Sequence, residues 1–263
     1  MGIITLLTDF GQRDVYVGVM KGVIVGIAPQ VRLIDLTHDI PPQNLALASF
    51  QLQNAVAHFP PDTVHLVVVD PGVGSQRRGI ALQLASGFLV GPDNGVFTGV
   101  LCQTPVLAAV ELNQPLYWYT PTPSRTFHGR DIFAPVAAHL ARGVPLLQVG
   151  SPLDPASLVR LPAPTYTTTA NGKEFVGRIQ AIDHFGNLIS TIPAAVVTGT
   201  SWSVEMANQR IPAVNSYSDR PVGAIMALIG SHGWIEVAVN GGRAEVMLNC
   251  QVDDALQVVL NSP

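Results

Sequence analysis

Along the first half of the chain, apolar residues fall in short unbroken runs. Between these runs, apolar positions recur every three or four residues. The run at 3–7 (IITLL) predicts a strand, and 14–28 predicts a helix stopped by Pro29. A second strand is predicted at 31–36 (VRLIDL), a second helix at 44–58, and a third strand at 63–69 (TVHLVVV). The segments 79–85 and 87–95 read as a hairpin-like pair, and the Ala-rich 131–142 as a helix ended by Gly143 and Pro145. Apolar strands without alternation, interleaved with helices, predict an α/β domain with a mainly parallel sheet and helices on both faces.

The texture changes near residue 151. The segment 151–174 is rich in Pro, Ser and Thr and lacks periodicity, as a linker or crossover does. Beyond it, turn residues separate short runs: FVGRIQAID, NLISTI, SWSVEM, QRIPAV, GAIMALIG, WIEVAVN, AEVML and ALQVVL. All of them read as strands, which predicts a small antiparallel barrel or sandwich. The expected organisation is an α/β domain over 1–155, a linker over 156–172 and an all-β, barrel-like domain over 173–263.

Composition changes this picture in one respect. Charged residues are 12% of the 263 residues and apolar ones 48%, whereas an ordinary soluble domain carries roughly 25% charge. So little charge covers a monomer poorly, and burial of part of the surface in an oligomer is expected. The net charge of −4 and the lack of any basic run argue against nucleic acid as a partner. Cys102 and Cys250 are far apart and match neither zinc nor redox spacing, as free thiols in a reducing cytosol would. Lys21 interrupts the best candidate for a membrane span, and the N-terminus has no basic segment before its apolar run. A cytoplasmic protein without a membrane partner is expected.

Candidate chemistry collects at predicted strand ends, where open α/β sheets bind ligands. TDFG (8–11), DLTHD (35–39) and DPGVGSQRR (70–78) would bring Asp9, Asp39 and Asp70 to one rim. Taken singly, each of these is most simply a cap or turn residue. The third stretch is not a dinucleotide loop, because Arg77 stands where the last glycine of G-x-G-x-x-G belongs; no G-K-[ST] sequence occurs either. It offers instead a carboxylate, Asp70, and an arginine, Arg77 or Arg78, at the two ends of a tight turn. A purely structural ion pair is the simpler reading of these alone. His128, in the loop TFHGRD with Gly129 beside it, is a better functional candidate than His58 or His139 within predicted helices. Asp183, Phe185 and Asn187 surround a glycine turn (DHFGN), and Ser231 and Asn240 lie in GSHGWIEVAVNGG. Standing alone, these are hairpin turns.

Together, TDFG, DLTHDIPP, DPGVGSQRR, GPDNG, FHGRDIFAPVAAHLA, DHFGN and VNGG, in this order, resemble the adenosine-forming S-adenosyl-L-methionine (SAM) hydrolases. These enzymes are also called SAM hydroxide adenosyltransferases and are relatives of bacterial fluorinase and chlorinase. The resemblance runs from Thr8 to about Gly242. It implies an N-terminal α/β domain, a C-terminal β-barrel, and homotrimers with each site between the N-domain of one subunit and the C-domain of the next. It places a catalytic triad at Asp70, Arg77 and His128, with Arg78 as the competing arginine. It gives Asp9 the ribose hydroxyls, Asp183 and Ser231 the methionine amino and carboxylate groups, and Asn187 and the backbone near Asn240 the adenine, with Phe185 packed beside the ligand. SAM is then the substrate, and neither cofactor nor metal is expected. Gly129 stands where halide-using relatives carry a serine, which favours water over chloride. His232 stands where the fluorinase-like pattern has arginine, which weakens the carboxylate clamp. The competing readings are a SAM-dependent halogenase and a non-catalytic adenosine- or SAM-binding protein.

Overall fold

A computed structural model describes residues 2–170 and 172–261. The chain divides into two compact units, Met1–Pro162 and Ala163–Pro263. In the first unit the strands are β1 (Ile3–Thr8), β2 (Arg32–Thr37), β3 (Thr63–Val68), β4 (Gly79–Leu84), β5 (Gly87–Pro92), β6 (Ala108–Glu111) and β7 (Ser151–Pro152). Its helices are α1 (Tyr16–Ile27), α2 (Leu45–Val56), α3 (Thr98–Gln103) and α4 (Ala134–Ala141).

The sheet order is β2-β1-β3-β5-β4-β6-β7. The β2-β1, β1-β3 and β3-β5 pairings are parallel, whereas β5-β4, β4-β6 and β6-β7 are antiparallel. The sheet is therefore mixed rather than mainly parallel. The cause is local: only Ala85 and Ser86 separate β4 from β5, and so short a connection permits only an antiparallel hairpin.

Side chains alternate across the pleat, which explains the unbroken apolar run of β1. Ile4 and Leu6 pack with Met20 and Ile24 of α1 and Ala134, Ala137 and Ala138 of α4. Leu7 joins a different cluster, with Ala48, Leu52 and Val56 of α2. Helix α2 begins where its sequence says it should, the Asn44 side chain accepting a hydrogen bond from the Leu47 N–H at 3.0 Å.

The predicted 131–142 helix starts differently. Gly129–Phe133 forms a π-helical turn that leads into α4. Pro135 has no N–H to offer the Asp131 carbonyl, which instead accepts from the Tyr119 N–H at 2.9 Å.

The second unit contains β8 (Thr167–Thr168), β9 (Glu174–Ile182), β10 (Leu188–Pro193), β11 (Trp202–Met206), β12 (Gln209–Pro212), β13 (Ile225–Ile229), β14 (Trp234–Val239) and β15 (Ala255–Leu260). The strand order β12-β11-β15-β9-β10-β14-β13 is antiparallel throughout. A bridge from Ala213 to Ala227 nearly closes the sheet into a barrel. AEVML, expected as a strand, is a short helix α5 (Ala244–Leu248). Its buried residues are Ala244 and Leu248, four apart as a helix requires, and Asn249 ends it in the left-handed region at φ 51°.

One buried histidine makes the first unit sensitive to acid. His65 of β3 is 1% exposed, with Nδ1 2.8 Å from Thr5 Oγ1, and Nε2 has no hydrogen-bond partner among the described residues. Burial pushes its pKa from 6.5 down to about 4. Between those values the unfolded chain binds a proton that the folded chain refuses, so the stability present above pH 6.5 is lost as the pH falls. Between pH 7 and pH 5 this amounts to about 2 kcal/mol. Urea unfolding of the wild type is expected to show that loss, and His65→Gln to flatten it. Parallel pH profiles for the two proteins would refute the assignment.

Candidate functional site

Two loops meet beyond the carboxyl ends of β1 and β3. Asp9 follows β1 and Asp70 follows β3, and the turn 70–78 folds Arg77 back toward Asp70. Gly74 allows the turn to lie against a second loop: at φ 74°, a Cβ there would collide with the Arg125 carbonyl oxygen. That second loop ends in His128, immediately before the π-helical turn. The buried Asp131 holds it in place, accepting from the Ser124 N–H at 2.7 Å and from Arg130 Nε at 2.6 Å. Burial tends to raise the Asp131 pKa, but the bonds from Arg130 and Ser124 outweigh it and lower the value.

Arg77 joins the loops. Its Nε donates to Asp70 Oδ1 at 2.8 Å, its Nη2 donates to Asp70 Oδ2, and Nη2 lies 2.9 Å from His128 Nδ1. The side chains of Arg77 and Asp70 are 10% and 5% exposed, and the guanidinium lies 5.1 Å from the centre of the Phe133 ring.

A guanidinium only donates, so His128 Nδ1 must be the acceptor and the ring proton must sit on Nε2. Burial lowers the His128 pKa, the Arg77 charge lowers it further, and the Asp70 and Asp131 charges oppose both. The imidazole is accordingly neutral at pH 7.

Asp9, Asp70 and His128 share a cavity of about 410 Å³. Its aromatic wall is Phe10, Tyr16 and Phe127, with ring centres 5.2–5.9 Å apart. Asp39 is exposed and does not line this cavity. Gln43 does line it, and its N–H donates to Asp9 Oδ2 at 2.8 Å. Gln43 is held at φ 67°, a conformation that costs a non-glycine residue of order 1 kcal/mol. Gly129 is packed tightly: a Cβ would stand 3.1 Å from Met20 Sδ and 3.2–3.3 Å from Phe127 and Val68.

The two adjacent arginines face opposite ways, as neighbours in extended chain do. Arg78 Nε donates to Asp93 Oδ2 at 2.9 Å, and its Nη2 donates to the Ser157 carbonyl at 2.7 Å. Asp93 Oδ1 also accepts from the Val159 N–H. Arg78 thus fastens the segment after β7 to the rest of the first unit.

The second unit carries its own polar cluster. Asp183 Oδ1 accepts from the N–H groups of Phe185 and Asn187, each at 2.9 Å, and Oδ2 accepts from Asn187 Nδ2 at 2.9 Å. Asn187 is buried, whereas Phe185 and Ser231 are exposed. Asn240 is tied by Nδ2 to the Arg220 carbonyl at 2.7 Å. Tyr217 Oη donates to Glu236 Oε1 at 2.6 Å, and the other Glu236 oxygen accepts from His232 Nε2 at 3.1 Å. Burial and the bond to Glu236 push the Tyr217 phenol well above its usual pKa. The geometry adds Gln43, Asp131, Tyr217 and Glu236 to the residues considered from sequence. Glu236 had a readable signal, as the lone acid in the apolar run WIEVAV.

Two family models match the chain: SAM hydroxide adenosyltransferase N-terminal domain over residues 4–150 and the corresponding C-terminal domain over 177–257. A protein of Salinispora arenicola named (R)-S-adenosyl-L-methionine hydrolase is 40% identical over 256 residues, covering 97% of each chain. A protein named fluorinase from Nocardia brasiliensis is 26% identical over 290 residues, covering 97% of this chain and 96% of that one. The crystal structure of an uncharacterized conserved protein from Thermotoga maritima superposes with a TM-score of 0.89 at 35% identity. It covers 98% of this chain and all of that one.

Removing Arg78 leaves the Asp93 carboxylate, 2% exposed, without its cation. Arg78→Ala is therefore expected to lower unfolding stability by roughly 3 kcal/mol, read as a shifted denaturant midpoint. An unshifted midpoint would show that the pair is not structural.

Proposed function

The chain belongs to the SAM hydroxide adenosyltransferase family, and on that premise we propose that it hydrolyses S-adenosyl-L-methionine to adenosine and L-methionine. Water attacks the ribose C5′ in line with the sulfonium sulfur. The C5′–O bond forms, the C5′–S bond breaks with its electron pair going to sulfur, and one proton is released. Because the leaving group is a neutral thioether, the reaction needs no general acid, and the reading includes no metal or cofactor. The observation that carries it is the single guanidinium shared by Asp70 and His128 at the edge of a cavity that also holds Asp9.

In this reading Asp70 accepts a hydrogen from the attacking water and His128 offers Nε2–H to its oxygen. Arg77 orients both partners and favours the hydroxide-like character that develops. Orientation of a water in line can supply several kcal/mol, and acid–base assistance about 10²–10⁴ in rate. Asp9, with Oδ2 already engaged by Gln43, presents Oδ1 to the ribose hydroxyls. Asp183 and Ser231 hold the methionine amino and carboxylate groups, Asn187 and the backbone near Asn240 meet the adenine, and Phe185 packs beside it. The assembly proposed is a cytoplasmic homotrimer with its sites between subunits. Two features support water over halide: Gly129 offers no hydroxyl, and Met20, Phe127 and Val68 crowd the space where a serine side chain would begin.

The purified protein incubated with SAM, with and without chloride, is expected to release adenosine and methionine in both samples. A chlorinated nucleoside, or no product, would overturn the reading. Asp70→Ala is expected to lower kcat by about 10² or more with KM little changed; near-full turnover would remove Asp70 from the mechanism. Because the His128 pKa lies below 6.5, the acid limb of kcat/KM attributable to this ring is expected to fall below that pH and to vanish in His128→Asn. An acid limb that persists unchanged would assign it elsewhere.

A further inference from the structure

We infer that Asp183 sets base specificity by fixing which end of the Asn187 amide faces outward; this rests on the reading that Asn187 meets the adenine. The chemistry of the donors and acceptors dictates the orientation. Asp183 Oδ1 is taken by two backbone N–H groups, and Oδ2 lies 2.9 Å from the Asn187 amide. A carboxylate only accepts, so the nitrogen of Asn187 must face it. Tyr217 reinforces the choice. Its hydroxyl hydrogen is committed to Glu236 at 2.6 Å, so the lone pairs of its oxygen, 3.5 Å from Asn187 Nδ2, also face a donor. Oδ1 of Asn187 makes no hydrogen bond among the described residues and is left as a pure acceptor.

An outward acceptor suits a purine with an exocyclic amino group, as in adenine. It opposes one with an exocyclic oxo group, as in hypoxanthine. Buried polar groups that meet the wrong partner discriminate strongly between such analogues.

The orientation can be inverted without changing Asn187. In Asp183→Asn the oxygen of the new amide stays with the two backbone N–H groups, because both are donors. Its nitrogen then faces the nitrogen of Asn187 at close range. Asn187 turns over to relieve that clash, and its amino group points outward. The same change also alters the group proposed to hold the methionine amine, so the probes must lack methionine.

The experiment is calorimetric titration of the full chain with adenosine and with inosine, alongside a thermal melt of each unliganded variant. The wild type is expected to prefer adenosine, and Asp183→Asn to shift the adenosine-to-inosine ratio toward inosine by about tenfold or more. Combining Asp183→Asn with Asn187→Asp restores a donor facing an acceptor and an acceptor facing outward. The double variant is expected to recover the preference for adenosine, and it carries the test if the single variant does not fold. An unchanged ratio in Asp183→Asn, or a double variant without the preference, overturns the selector role. If Asn187→Ala erases the preference at the same time, the adenine contact itself stands. If Asn187→Ala leaves the ratio unchanged, the placement of the base at Asn187 fails, and the inference with it. A wild type that binds neither nucleoside overturns the proposed function from which the inference starts.

Discussion

The first unit is organised around one guanidinium. Arg77 has five N–H donors in a rigid plane, and two of its nitrogens engage both oxygens of Asp70 while one of them also reaches the His128 ring. Neither partner could hold its position alone. Asp70 is nearly buried, and a carboxyl group withdrawn from water is costly unless it is paired and hydrogen-bonded. His128 sits on a separate loop, and its tautomer follows from what Arg77 can donate. A lysine could not replace this fork, because a point charge does not fix a carboxylate plane and a ring nitrogen together.

The surroundings of this contact exclude alternatives more than they add attraction. Gly74 lets the Asp70 turn lie against the backbone at Arg125, and Gly129 leaves little room for a side chain beside Met20. Asp131 and the π-helical turn then hold His128 at the required reach. In the second unit the donors and acceptors from His232 through Glu236 and Tyr217 to Asn187 and Asp183 likewise allow one consistent direction. In both places specificity comes from a hydrogen-bond pattern in which each donor has one acceptable partner.

Much of the fold was legible because local signals were strong. The strand at Ile3, the Asn44 cap and the hairpin at 79–95 depend on residues close in sequence. The mixed pairing of the first sheet was legible only in part. The two-residue gap between β4 and β5 announced an antiparallel pair, but unbroken apolar runs do not tell a parallel centre from a buried antiparallel flank. AEVML misled because five residues are too few for period 2 and period 3.6 to separate. At the site, Asp70, the adjacent pair Arg77 and Arg78, and His128 could be picked out by residue type and loop context. Which arginine faces Asp70 depends on the side of an extended segment, and no residue-level pattern encodes that. Tyr217 was missed because its importance comes wholly from a partner on β14, nineteen positions away.

The sequence separations within the Arg77 contact have a kinetic consequence. Asp70 and Arg77 are seven residues apart, whereas Arg77 and His128 are separated by 51. Loop-closure entropy favours the near pair, so the ion pair can form early, while the chain is still assembling. The histidine arrives only when its loop docks, and it is the first member free to leave when that loop opens locally. Within this contact the histidine is thus the last member to join and the first to leave. Exchange of the amide hydrogens around His128 with solvent would report on that opening well before the sheet beneath it unfolds.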